Sequence, residues 1–306
     1  MKELIKRMPI LDVNSDDRSR DGLYPIQPYT WEGDVHVGFP SSPYMNIVAF
    51  YHQTQPNIKR VNRTIYPSGS TAIVCRLNEE NPESFLVGTP TFPKEPEYIT
   101  GKGEYFVALF WIGVGFSLFP LPPSDITDKH IPLNKIFPGK AESLVKQMIH
   151  VRSFSQRVHI FERFLSEIIS DSRQIPMQYK ATIRTIYQES IMDLGLEKEK
   201  PFQTGFSNRH TRRIFKKYVG ISPKLFKRII RYQKSLNLIN THPKQSMAYL
   251  AAKQGYFDQS HFIKEFKRFQ GMTPVEFIRK FIVNKNPGVS TSFLTECQGH
   301  EKRSII

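Results

Sequence analysis

Cysteine is nearly absent: Cys75 and Cys297 are the only two in 306 residues, and neither has a second thiol near it in sequence. No disulfide framework or zinc spacing can be built from such a pair, which suits a reducing cytoplasm. Long apolar runs are also lacking. Nothing approaches the ~20 residues of a membrane span, and the opening MKELIKRMPILDVNSDDRSR has no apolar core of a signal peptide, so a cytoplasmic chain with no membrane partner is expected. Motifs for catalysis are missing in the same way. There is no P-loop, no G-x-S-x-G and no G-x-G-x-x-G after a strand, and the run GVGFS in WIGVGFSLF lacks a third glycine. His36, His52 and His130 are far apart and have no H-x-H or H-E-x-x-H spacing, so no metal or cofactor is expected. Cys75 stands in the apolar run AIVC and reads as a packed strand residue rather than a reactive thiol. These absences together argue against an enzyme.

Acidic residues are scarce in one half only. Residues 1–180 carry 20 Lys and Arg against 19 Asp and Glu, whereas residues 181–306 carry 23 against 9, so nearly all of the net charge of +15 lies in the C-terminal part. A basic field confined in this way attracts a polyanion, because displacing counterions from phosphates drives nucleic-acid binding. A solvated basic surface is the competing explanation, and composition alone does not separate the two.

What is present divides the chain. Residues 1–30 are polar and without a sustained period, and read as a mobile lead-in. From Val35 to about Phe119 come short β-prone runs, VHVGF, NIVAFYH, STAIVCRL, SFLVG and EYFVALFWIG, broken by Pro, Gly and Asn. Closely spaced short strands predict a β-sandwich or barrel, closed off by the proline-rich LFPLPPSDITDKHIPLNKIFP. After Pro138 the period becomes helical. Val158, Phe161, Leu165 and Ile168 recur at spacings of three and four and draw one apolar stripe, suited either to a dimer contact or to packing on the chain's own β-domain.

Two C-terminal segments share a pattern, GFSNRHTRRIFKKYVGISPKLFKRIIR from Gly205 and GYFDQSHFIKEFKRFQGMTPVEFIRK from Gly255. Each reads as glycine, aromatic, polar start, basic amphipathic helix, then glycine, Ser or Thr, and proline opening another helix. That is the back half of a helix-turn-helix: the first glycine lets the chain turn sharply, and Ser222 or Thr273 caps a helix with Pro223 or Pro274 at its first position. On a helical wheel Phe262, Phe266 and Phe269 fall within about 60° of one another and form the buried side. Ser260, His261, Lys264, Lys267 and Arg268 take the opposite arc. In the first segment Thr211 and Phe215 turn inward, Arg209, Arg213, Lys216 and Lys217 turn outward, and Arg212 lies near the margin. Short polar and basic side chains on one face suit a helix set in a major groove. The helix expected between them, from about Pro223 to Asn240, is roughly 27 Å long at 1.5 Å per residue, and with the helix widths it can span the ~34 Å between successive major-groove faces.

At these residues the sequence resembles the AraC/XylS family of transcription regulators. The likeness covers about residues 180–282 and is most specific in AAKQGYFDQSHFIKEFKRFQGMTPVEF; GFSNRHTRRIF is similar to the family's first helix-turn-helix. It implies a multi-domain α+β protein whose C-terminal all-α domain, residues 175–283, has two helix-turn-helix modules joined by a central helix. By position it carries the family's groove-reading roles to Arg209, Arg212 and Arg213, and to Ser260, His261 and Lys264. Wheel and resemblance together give the candidate DNA-binding set Asn208, Arg209, Arg212, Arg213, Lys216, Lys217, Gln259, Ser260, His261, Lys264, Lys267 and Arg268. There is one departure: LEKEKPFQTG puts Lys200 and Pro201 where the family's first scaffold helix packs, and a helix-interior proline costs about 3 kcal/mol, so that helix is expected to be shortened or displaced.

More loosely, YPSGSTAIVCRL, FLVG and PPSDITDKHIPLNKIF resemble the β-rich sensor or oligomerisation domain of some of these regulators. That likeness implies a cupin-like β-sandwich or barrel over residues 31–137; the helical period that follows reads as a helical linker over 138–174, and residues 284–306 read as a flexible tail. The partners implied are double-stranded promoter DNA, a small-molecule effector, RNA polymerase and a second copy of the chain. Two alternatives are a cupin-like metalloenzyme with an accessory DNA-binding domain, and a regulator acting by protein contact with its DNA domain disabled at Pro201.

Overall fold

The computed structural model describes residues 27, 35–41, 44, 47–54, 64–95, 104–111, 118–169, 177–192 and 204–283. The expectations for residues 1–26, for the helix at Lys200 and Pro201, for Cys297 and for the tail from 284 lie outside these residues. Strands β1 (Val35–Gly38), β2 (Val48–Thr54), β3 (Ala72–Arg76), β4 (Glu83–Val87), β5 (Tyr105–Phe110) and β6 (His130–Pro132) form one antiparallel sheet in the order β1-β2-β5-β3-β4-β6. Among the described residues the sheet is open, with β1 and β6 as its edges.

The register decides what each face carries. Pairing of Tyr51 with Ala108, Gln53 with Phe106, and Cys75 with Phe106 and Ser84 places Tyr51, Gln53, Cys75 and Phe106 on one face. Helices α1 (Pro123–Ile126) and α2 (Lys140–Ile149) follow in the chain, and then α3 (Phe154–Ile169) lies across that face. Phe161 of α3 meets Tyr51 with ring centroids 5.6 Å apart and Phe106 at 5.7 Å. The apolar stripe thus packs on its own sheet: Phe161, Leu165 and Ile168 are buried and Val158 is half-buried. This leaves none of the three buried residues for a dimer contact, and α2 and α3 belong to the β-domain's core as well as linking it onward. Every residue of β2 and β5 is buried; β5 (YFVALF) accordingly reads as a continuous apolar run, whereas β2 buries the polar His52, Gln53 and Thr54 as well.

Polar side chains tie the surrounding chain to this core. Ser41 donates from its backbone N–H and its hydroxyl to the two carboxylate oxygens of Glu162, each at 2.8 Å. Buried Arg157 pairs with Glu104 at 2.6 Å, and Glu104 also accepts from Gln53 at 2.7 Å. Gln27, inside the stretch read as a mobile lead-in, is instead buried. Its amide accepts from the Tyr66 N–H at 2.9 Å and donates to the Tyr66 carbonyl at 2.8 Å, as a strand neighbour would.

Helix α4 (Met177–Met192) leads into α5 (Asn208–Val219), α6 (Pro223–Thr241), α7 (Met247–Lys253), α8 (Gln259–Gln270) and α9 (Pro274–Phe277), the last continuing as a π-helical turn over Ile278–Val283. Five N-caps start α5 to α9. Ser207, Ser222, Ser246, Asp258 and Thr273 each accept a backbone N–H three residues on, and Thr273 with Glu276 closes a capping box. The internal duplication is visible in the backbone: Gly220 (φ 85°) ends α5 and Gly271 (φ 77°) ends α8, their N–H groups returning to Lys216 and Lys267. Aromatic rings fill the space between, with Phe215 against Phe226 at 5.1 Å, Tyr232 against Phe269 at 5.4 Å and Phe266 against Phe277 at 5.5 Å.

Among the described residues the β-rich part meets the helical part at the end of α5, on α6 and just beyond α8. Helix α1 packs against α5, and a Cβ on Gly220 would lie 2.5 Å from Thr127 Oγ1 and 2.8 Å from the Pro123 carbonyl. On α6, buried Gln233 donates to the Pro67 carbonyl at 2.7 Å. Beyond α8, a Cβ on Gly271 would sit 3.6 Å from Pro93 Cγ.

Candidate nucleic-acid interface

Helix α5 lies with Thr211, Ile214, Phe215 and Val219 inward. That leaves Asn208, Arg209, Arg212, Arg213, Lys216 and Lys217 exposed, so Arg212 falls clearly outside rather than at the margin. The start of the helix is held by a stack of rings, since His210 lies on Phe206 at 4.7 Å and near Tyr179 at 6.4 Å.

Helix α8 repeats the arrangement. Phe262, Phe266 and Phe269 are buried, as the wheel predicts, while Ser260, Lys264, Lys267 and Arg268 are exposed and Gln259 is half-buried. His261 differs from a free groove-facing residue. It is half-buried, its ring packs edge-on to Tyr256 at 5.5 Å and its Nδ1 accepts the Phe257 N–H at 3.4 Å, so it also braces the turn before the helix.

The sequence NRHTRRIFKKYV of α5 contains no carboxylate, and Glu265 is the single one in α8. Its two oxygens accept from Arg228 of α6 at 2.6 and 2.7 Å. Burial alone would raise the Glu265 carboxyl, but the hydrogen bonds and charge of Arg228 outweigh it and hold the group below its ordinary value. The same pairing raises Arg228. The negative charge of α8 is thereby neutralised on its inner side, and the exposed face keeps only cations. This pair has no local sequence signal, because its partners are 37 positions apart.

Phe257 is the other feature that local sequence patterns do not reveal. It is 92% exposed and stands immediately before the cap of α8. An apolar residue at that position ordinarily packs on the fourth helical residue.

In the β-rich part the three histidines each lie against a different ring, His36 on Phe154, His52 on Phe50 and His130 on Phe85. Burial lowers His52 to about 3 and pushes the buried Cys75 thiol up to about 12. Among the described residues no three His, Cys, Asp or Glu side chains gather as a metal site requires, and no helix is long and apolar enough to cross a membrane.

Comparison with known proteins matches residues 203–280 to the family model described as a helix-turn-helix domain. No curated protein sequence matches the chain. Among solved structures, ToxT from Vibrio cholerae O395 aligns at 12% identity and a TM-score of 0.40, covering 81% of this chain and 98% of that one. Unsaturated fatty acid bound wild-type ToxT from Vibrio cholerae strain SCE256 aligns at 12% identity and a TM-score of 0.39, covering 72% and 90%. The matched residues contain both capped cationic helices and the helix that joins them. Residues 203–280 are therefore a helix-turn-helix domain of the AraC type.

Proposed function

We propose that this chain is a transcription regulator that reads promoter DNA with α5 and α8 in successive major grooves on one side of the duplex, and that the β-rich part adjusts how the two modules are held. The observation that carries the reading is the pair of matched helices: each has the same N-cap and glycine C-cap pattern, an apolar inner side and an exposed face of cations without a free carboxylate. Helix α6, which joins them, has 19 residues and is about 28 Å long. With the widths of the helices it connects, it spans the ~34 Å between major-groove faces. Arg209, Arg212 and Arg213 on α5, with Ser260, His261 and Lys264 on α8, are the base-reading candidates. Asn208, Lys216, Lys217, Gln259, Lys267 and Arg268 are the phosphate-contacting and positioning candidates.

The support for adjustment by the β-rich part is its packing at Gly220, Gln233 and Gly271, one on each module and one on the connector. An effector bound in that part would act by shifting these points of packing.

The test is selection of bound fragments from genomic DNA, followed by mobility-shift titration on the enriched site. Arg209→Ala and Lys264→Ala are each expected to weaken binding by about 1 to 3 kcal/mol. If both variants bind like the parent, the assignment of the reading helices is wrong.

A further inference from the structure

Among the described residues Phe257 is the most exposed large hydrophobic side chain, at 92%. The fold has no use for its ring. A residue just before a helix cap normally staples to the fourth helical residue, here Phe262, but Tyr256 fills that place with its ring 5.1 Å from Phe262.

The backbone beneath Phe257 is nonetheless held on both sides. Its own N–H donates to His261 Nδ1, the Tyr256 N–H donates to the Ala251 carbonyl at 3.0 Å, and Asp258 caps α8 by accepting from the His261 N–H at 2.6 Å. A large apolar ring is therefore fixed in water next to Gln259 and Ser260. These are the first residues of the helix, and in a helix-turn-helix that end contacts base edges. The thymine 5-methyl group is the apolar feature a major groove offers, and a phenyl ring is among the side chains that pack on it.

Building on the DNA-binding reading above, we propose that Phe257 is a specificity-determining residue that packs on a thymine methyl at the edge of the site read by α8. The ring's exposure in the free protein is then the surface that the groove covers.

The test uses the full chain and the selected operator, with each thymine of the second half-site replaced singly by deoxyuridine, which removes only the methyl. The parent is expected to lose about fourfold in affinity at one position, the worth of one buried methyl-sized group. Phe257→Ala is expected to bind the natural operator about five- to tenfold more weakly and to be indifferent to that same replacement, while Phe257→Leu keeps most of the effect. All three proteins should melt alike, since the ring supports nothing in the fold.

A parent that binds selectively but ignores every deoxyuridine, or a Phe257→Ala variant that still senses the same one, overturns the proposal alone. If Phe257→Ala binds the operator like the parent but no longer self-associates in sedimentation, the ring serves a second copy of the chain and the proposal is wrong. Absence of any selective binding by the parent removes the DNA reading as well.

Discussion

Glu265 shows how a single side chain can be decisive without touching a ligand. It points inward from α8 to Arg228, and the bidentate pair fixes the rotation of α8 about its own axis relative to α6. Arg228 also lies over the Phe269 ring at 5.5 Å, so the ion pair and the aromatic core are locked together. The folded carboxyl is held below its ordinary value. The pair therefore stabilises the fold above the ordinary carboxylate range, and that contribution disappears as the pH falls through the lowered value. Glu265→Gln is expected to cost about 1.5 to 3 kcal/mol in urea denaturation at pH 7. The gap between variant and parent should narrow as the pH falls below the ordinary carboxylate range; an unchanged gap there would show that shape rather than charge makes the contribution.

At the scale of elements, the two helix-ending glycines provide a matched comparison. Both have a left-handed backbone, so alanine at either position carries the same intrinsic strain of about 1 to 2 kcal/mol. Only Gly220 is also crowded, by Thr127 and the Pro123 carbonyl, whereas Pro93 sits at ordinary contact distance from Gly271. Gly220→Ala is thus expected to destabilise by about 1 to 3 kcal/mol more, through overpacking. Equal destabilisation of the two variants in chemical denaturation would show that α1 does not press on the end of α5.

Much at this scale was legible in the residues themselves. Glycine, a polar cap and proline recur at matched offsets in both segments, and the phenylalanine spacing of α8 predicts its buried side. The stripe along α3 was legible as a stripe, but its partner was not, because periodicity states that a face is apolar without stating what covers it. The exposure of Phe257 was not legible for a related reason. A position before a helix cap reads as a staple, and only the placement of Tyr256 shows that the staple is already made.

For the whole molecule, the separation of charge predicts a separable electrostatic term. If both modules engage a duplex, removing one phosphate-binding cation should lower the magnitude of the slope of log affinity against log salt by about 0.9. Changing Lys216 and Lys217 together to Gln is expected to reduce that slope by up to about 2 in titrations over a range of salt. An unaltered slope would mean that α8 binds alone.

At this largest scale, local order and long-range packing divide the outcome between them. Amino-acid order alone determined the basic C-terminal half, the duplicated capped helices, the cationic faces and the β-rich character of residues 35–119, because caps, periodicity and charge act between neighbours in the chain. Only the tertiary structure decided that the described strands form an open sheet, that α3 is spent on covering it, that Arg228 neutralises Glu265, and that the β-rich part reaches Gly220, Gln233 and Gly271. Those facts depend on residues tens to more than a hundred positions apart meeting in space, and no local pattern records which of several complementary surfaces will come together.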